Sequence, residues 1–377
     1  MSSPIISKKI DAKNYVWSSA NNQYAILEQE TLEIIIGLSK GIALDVLTSK
    51  LAAKNKISKQ EILPLLKDLK TQFFSENQDS KYQSNEVFKS VKIPDTFKLT
   101  YTYTSNNTHV RVAFESELEA SFIHPKFAHL ASTPKNTYDT EFKVFIKKER
   151  IYLVKNNTIY DAWTKEQLHY FQGKFSMEFI QAIYGENEDK WMGVFHASAV
   201  SNQKKAVLFL GDSGNGKSTS LALLQKHGFD CMADDFVPVL AANKNVYHFP
   251  AAISIKQKSL QTLMPFYQEL QNAKEYHLKR LHKIVRYLPP NDNCTPKHLP
   301  CNDLVFIKYS KDAPLSFTKL AKEDAFQQLV PDSWISPRKE NAQKFLNWFQ
   351  NTNCYQLTYS ETNALITTVS KLFQNES

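Results

Sequence analysis

Apolar residues recur at two periods along this chain, and the changes of period mark where its parts meet. Between residues 14 and 74, Tyr15-Val16-Trp17 and Tyr24-Ala25-Ile26-Leu27 read as short strands on either side of the turn signal Asn21-Asn22. A helix is predicted over 31–38, ending at Gly41. A second carries Leu44, Leu47 and Leu51 on one face. A third opens with the capping pair Ser58 and Glu61, then places Ile62, Leu65, Leu66 and Leu69 at helical spacing. Two strands and three short helices predict a small winged-helix-like domain over residues 1–80.

Residues 75–92 are polar and read as a linker. Alternation then takes over: 97–103 and 142–146 read as strands, and 151–154 followed by Asn156-Asn157 reads as a hairpin. With a helix near 174–184, this makes a β-rich intermediate domain over 92–185. From 186 to 377 the pattern is α/β. A fully apolar strand at 207–210 leads to a helix over 218–226 that Gly228 stops. Further strands are expected at 236–240 and 304–307, with closing helices at 340–350 and 361–374.

Composition narrows the class. The 377 residues suffice for two or three domains. At 42% hydrophobic and 22% charged they can fill real cores, which excludes a disordered chain. The net charge of +8 is a mild excess that admits an anionic ligand without demanding nucleic acid. The first 30 residues lack the apolar segment of a signal peptide, and no apolar run approaches the roughly 18 residues of a membrane span. Four scattered cysteines, Cys231, Cys294, Cys301 and Cys354, fit a reducing compartment, so a cytoplasmic protein without membrane contact is expected.

Glycine is scarce, at nine residues, yet Gly211, Gly214 and Gly216 fall together in Gly211-Asp212-Ser213-Gly214-Asn215-Gly216-Lys217-Ser218-Thr219. This satisfies the Walker A pattern G-x-x-x-x-G-K-[ST], with an apolar strand before it and a helix after it. In such a loop the backbone N–H groups turn inward as an anion nest, and the helix N-terminus adds partial positive charge. Lys217 would reach the β- and γ-phosphates of ATP, and Ser218 would ligate Mg²⁺. Downstream, Asp234 and Asp235 form a carboxylate pair at the end of an expected strand. Such a pair beside a phosphate loop can hold Mg²⁺ and take a proton from an attacking hydroxyl. Upstream, His196 precedes the loop strand in His196-Ala197-Ser198-Ala199-Val200.

The order His196, then 211–218, then Gly228, then Ala233-Asp234-Asp235 resembles the HPr kinase/phosphorylase family and its related serine kinases. That resemblance implies an α/β core akin to phosphoenolpyruvate carboxykinase. It also implies Asp235 as proton acceptor, His196 as its assistant and Ser218 as a magnesium ligand. The chain departs from the family at Ser254-Ile255-Lys256, where a Glu beside an Arg is expected, and it lacks the Pro-Gly-Arg segment of the phosphorolytic reaction. A divergent kinase of the same core, without the phosphorylase activity, is implied. The family's ring-like assemblies imply a homo-oligomer. The N-terminal unit resembles PqqD-type peptide-recognition domains through Tyr24-Ala25-Ile26-Leu27, Ile34-Ile35-Ile36 and the 44–51 helix. This implies a peptide or protein substrate gripped by its leader through strand addition.

Residues 256–311 hold ten Lys and Arg against four Asp and Glu. Lys256, Lys283 and Arg286 are the candidates to clamp a transferring phosphate. No motif that reads RNA or DNA accompanies this charge, so nucleic acid is not the expected partner. Cys294, His298 and Cys301 match no standard zinc spacing. The expectation is an ATP- and Mg²⁺-dependent kinase acting on serine of a protein or peptide. Two alternatives remain open: a nucleotide-dependent peptide-binding module without kinase activity, and a small-molecule kinase acting on free serine.

Overall fold

The computed structural model describes residues 4–75, 91–132, 137–278, 283–291 and 297–374. The chain is mixed α/β, with several separate sheets. It divides into two compact units: Met1–Gln83 with Leu320–Thr352, and Ser84–Lys319 with Asn353–Ser377. Most of the stretch read as a linker, 76–90, lies outside the described residues. The second apportionment differs from the sequence boundaries. Residues 320–352, including the helix Lys339–Gln350, cluster with the N-terminal residues rather than with the rest of 186–377.

In the first unit an antiparallel sheet runs in chain order through Ile5–Ile10, Lys13–Ser18 and Gln23–Leu27. The first of these strands was not read from the sequence, because its alternation is broken by Lys8-Lys9. Helices Gln29–Ser39, Leu44–Asn55 and Lys59–Phe74 follow, close to the predicted positions. Ser58 caps the third as expected. Its hydroxyl oxygen accepts from the Glu61 N–H at 3.3 Å, and the Glu61 carboxylate accepts from the Ser58 N–H at 3.1 Å. Ile62, Leu66 and Phe73 are buried, whereas Leu65 is 63% exposed. The buried stripe follows i, i+4, i+7, i+11, and Leu65 sits about 70° off its axis. Tyr15 meets Phe326 edge-on at 4.8 Å, and Tyr24 meets Phe345 at 5.2 Å, so aromatic rings from both segments share one core.

The second unit begins with a sheet ordered Ala131–Ser132, Leu99–Ser105, Thr108–Phe114, Thr140–Lys147, Arg150–Lys155, Thr158–Thr164. Its tight turns place Asn106-Asn107, Lys148-Glu149 and Asn156-Asn157 at positive φ. That is the backbone of two-residue hairpins whose twist matches the strands. The asparagine pairs advertise it, and Lys148-Glu149 adopts it with no such signal. Helices Glu117–Phe127 and Leu168–Tyr184 cover this sheet through Phe127, Phe171, Phe175 and Phe179, all buried.

The other large sheet carries the glycine loop. Strands Asp230–Asp234, Ser198–Ser201, Ala206–Leu210 and His298–Tyr309 lie side by side in that order. The third and fourth run parallel, and Asn353–Tyr359 runs parallel on the far side of the fourth. The first half of His298–Tyr309 pairs instead with Asn245–Tyr247, which continues to Val237–Leu240 and Trp191–Phe195. Helices Lys217–Lys226 and Thr362–Gln374 pack on one face, where Leu221, Leu224, Val305, Ile307, Leu357 and Val369 form part of a buried cluster. A small sheet of Ile253–Lys256, Lys283–Leu288 and Tyr276–Leu278 completes the unit.

Candidate active site

The site forms where Ala206–Leu210 runs out of its sheet. All five residues of this strand are buried, so the chain emerges from the core at Gly211 and must turn at once into helix Lys217–Lys226. Gly211 has φ 126°, and a Cβ there would lie 2.9 Å from the Ile307 carbonyl oxygen. Gly216 has φ 98°, and its Cβ would meet the Tyr309 Cβ at 3.3 Å. Both positions combine a left-handed backbone with a close neighbour, which only glycine accommodates without strain. The loop is pinned from the adjacent strand, where the Tyr309 N–H donates to the Asn215 carbonyl at 3.0 Å.

Lys217 is 6% exposed, and its ammonium donates to the carbonyls of Gly211 and Asp212. Its charge is therefore held inside the curve of the loop, near the N–H groups at the helix start, where an anion would be met by both. Lys256 reaches the same loop from the small sheet and donates to the Ser213 hydroxyl at 3.0 Å. Thr219 shares a hydrogen bond with Ser259 at 2.7 Å.

Asp234 is the hub. Strand Asp230–Asp234 pairs antiparallel with Ser198–Ser201 so that Ser198 stands opposite Asp234. One carboxylate oxygen accepts from the Ser198 hydroxyl at 2.6 Å and the Ser218 hydroxyl at 3.0 Å. The other accepts from the Ser254 N–H at 3.1 Å. Burial, and secondarily the charge of Asp235, raise this carboxyl to about 7 against the restraint of its three donors.

The next residue is of a different kind. Asp235 has φ 62°, in the left-handed region that aspartate tolerates better than most residues. The turn swings its side chain out of the strand to 36% exposure, and His196 Nδ1 stands 4.0 Å from its Oδ1. That is within ion-pair range but beyond hydrogen-bond length. Tyr287 lies close enough that the Asp235 charge, after burial, helps push its phenol upward.

The structure thus brings together Asp212, Ser213, Asn215, Lys217, Ser218, Asp234, Asp235, His196 and Lys256. Arg286 is differently engaged: its guanidinium donates to the Ala273 carbonyl at 3.1 Å and to the Glu275 carboxylate at 2.7 Å. The Lys283 side chain lies outside the described residues, as does Cys294. His298 stacks on Tyr247 at 4.7 Å, and burial pushes the Cys301 thiol up to about 12, which suits packing rather than metal binding. Among the described residues no group of three or more His, Cys, Asp or Glu is placed to hold a metal. A magnesium site needs less. Ser218 and Asp234 present hard oxygens 3.0 Å apart beside the loop, and phosphate oxygens and water would supply the remaining ligands.

Residues not singled out in the sequence also build the site. Ser198 holds Asp234, and its signal was present as the second residue after His196 on an alternating strand. Tyr309 and Tyr359 buttress Gly216, and the Tyr359 hydroxyl shares a hydrogen bond with Ser220 at 2.7 Å. No local pattern announces either tyrosine. No protein-family model matches the chain, and no curated protein matches it.

Proposed function

We propose that this chain is an ATP- and Mg²⁺-dependent kinase that transfers the γ-phosphoryl group to a hydroxyl, with a core of the HPr-kinase type. The observation that carries this reading is the division of labour between adjacent carboxylates. Asp234 is buried and bonded to the loop serine, while Asp235 is turned outward with a histidine beside it. A site that only holds a nucleotide has use for the first carboxylate but not for the second.

The loop N–H groups and Lys217 would bind the β- and γ-phosphates, and Ser218 with Asp234 would hold Mg²⁺. Bound there, the cation would neutralise charge on the phosphates. Asp235 would accept the proton of the substrate hydroxyl as its oxygen attacks the γ-phosphorus. The bond from that phosphorus to the bridging oxygen breaks, and ADP carries the leaving charge. His196 would orient Asp235, closing the 4.0 Å gap once substrate is in place. Lys256, held at Ser213, would add charge to the transferring group.

Serine of a protein or peptide is the substrate class we favour, because the chain carries a second folded unit with no part in this chemistry. Its sheet ends in strands Ile5–Ile10 and Gln23–Leu27, and PqqD-type domains bind leader peptides by strand addition at such an edge. The segment Ser254-Ile255-Lys256 lacks the metal-binding glutamate that the resemblance calls for, and this favours the nucleotide-dependent binding module as second reading.

The test is phosphoryl transfer from labelled ATP into extract proteins, peptides and free serine. Asp235→Asn is the matched control, since asparagine tolerates the left-handed backbone that alanine would strain. Label transferred by wild type, and reduced at least about 100-fold by Asp235→Asn and by Lys217→Ala, is the expected result. Tight ATP binding that depends on Lys217, with no transfer to any acceptor, would establish the second reading instead.

A further inference from the structure

We infer that Tyr309 is the platform on which the base of the bound nucleotide stacks. The inference rests on the nucleotide-binding reading above and adds the base-recognition element to it. The Asp pair ends strand Asp230–Asp234, and Tyr309 ends strand His298–Tyr309. Between them lie Ser198–Ser201 and Ala206–Leu210, and Tyr309 stands past Val305, the residue level with Asp234 through Ser198 and Phe209; three strand spacings across and that overhang along the strand put the two ends roughly 20 Å apart. That is the scale of an extended nucleoside triphosphate. With the γ-phosphoryl group beside Asp235 and the triphosphate along the loop, the base must come to rest on the side of the sheet away from the carboxylates. The parallel strands Ala206–Leu210, His298–Tyr309 and Asn353–Tyr359 present their carboxyl ends there, the edge at which open α/β sheets take ligands.

What stands at that edge is a tyrosine. Along its strand, Val305 and Ile307 face the helix that follows the loop, and Tyr309 continues the same face past the end of the core. The residue is 47% exposed, although its backbone N–H is tied to the loop at Asn215 and its Cβ lies close to Gly216. Tyr359 meets the ring at 5.6 Å and 67°, and is itself anchored to Ser220. A part-exposed aromatic residue, braced by a second ring and fixed to the phosphate-binding backbone, has the form of a stacking surface.

The experiment compares binding of Mg-ATP and of inorganic tripolyphosphate to the full-length chain as wild type, Tyr309→Ala and Tyr309→Phe. We expect Tyr309→Ala to weaken ATP about 5- to 150-fold, the usual worth of one stacked base, while tripolyphosphate is unchanged. Tyr309→Phe should restore ATP binding. Equal losses for both ligands would make the tyrosine a support of the loop and overturn the inference, as would unchanged ATP binding by Tyr309→Ala. Wild type that binds neither ligand would instead bring down the nucleotide-binding reading itself, and the inference with it.

Discussion

Asp234 and Asp235 are neighbours in sequence with opposite environments, and the difference has a measurable consequence for Asp234. In the folded chain its carboxyl is raised to about 7, whereas in the unfolded chain it titrates near the ordinary value of about 4. Between those pH values the unfolded state has released a proton that the folded state still holds. Stability contributed by this group is therefore fully present below about pH 4, is lost as pH rises to about 7, and is level beyond. Urea titrations of wild type across that interval should show a fall that Asp234→Asn does not share. A parallel fall in the variant would mean that Asp234 is not the group responsible. Mg²⁺ with nucleotide should oppose the loss, because a cation favours the ionised carboxylate.

The loop between strand and helix is the element on which the site depends, and its tolerance is set by backbone space. At Gly211 a side chain would face a carbonyl oxygen of a neighbouring strand at 2.9 Å, not the movable end of another side chain. Gly211→Ala must therefore shift either the loop or the strand His298–Tyr309. We expect a loss of about 2–3 kcal/mol in a chemical melt, combining the left-handed backbone with that contact, and loss of tripolyphosphate binding. A variant with wild-type stability and binding would show that the turn at Gly211 is not what aims the loop. The elements around it were legible because their signals are local. Ser58 with Glu61, the buried run before Gly211 and the Asn156-Asn157 turn each involve residues a few positions apart. Helix Glu117–Phe127 was not, since Pro125 and His124 interrupt its apolar periodicity.

At the scale of the whole molecule, the N-terminal unit is discontinuous in sequence. Tyr15 and Tyr24 pack against Phe326, Phe345 and Phe349, and the Asn22 side-chain amide donates to the Ile335 carbonyl at 2.8 Å. Aromatic pairs are worth about 0.5–1.5 kcal/mol each beyond the area they bury. Four of them amount to several kcal/mol, comparable with the entire stability of a small domain. A fragment of residues 1–83 should thus melt without a cooperative transition, while the same residues linked to 320–352 should melt cooperatively by circular dichroism. Equal melting of both would show that the later segment is an accessory. The peptide-binding test should use the linked form or the full chain.

By itself the sequence determined part of the local grammar of this protein: most of the longer helices, fewer than half of the strands, several caps and turns, and the run from Gly211 to Thr219 with its charged and hydroxyl groups. It also held His196 and the Asp pair in view, because their residue types announce chemistry wherever they stand. Only the tertiary structure decided what those groups touch. Ser198 meets Asp234 across 36 positions, Lys256 meets Ser213 across 43, and Arg286 turns to Glu275 rather than to the loop. It likewise decided that 320–352 packs with the N-terminal residues and that Tyr309 stands beside Gly216. The reason is physical. Periodicity and capping arise from interactions within a turn or two of the chain, whereas strand neighbours and core partners are selected by the burial that all segments achieve together.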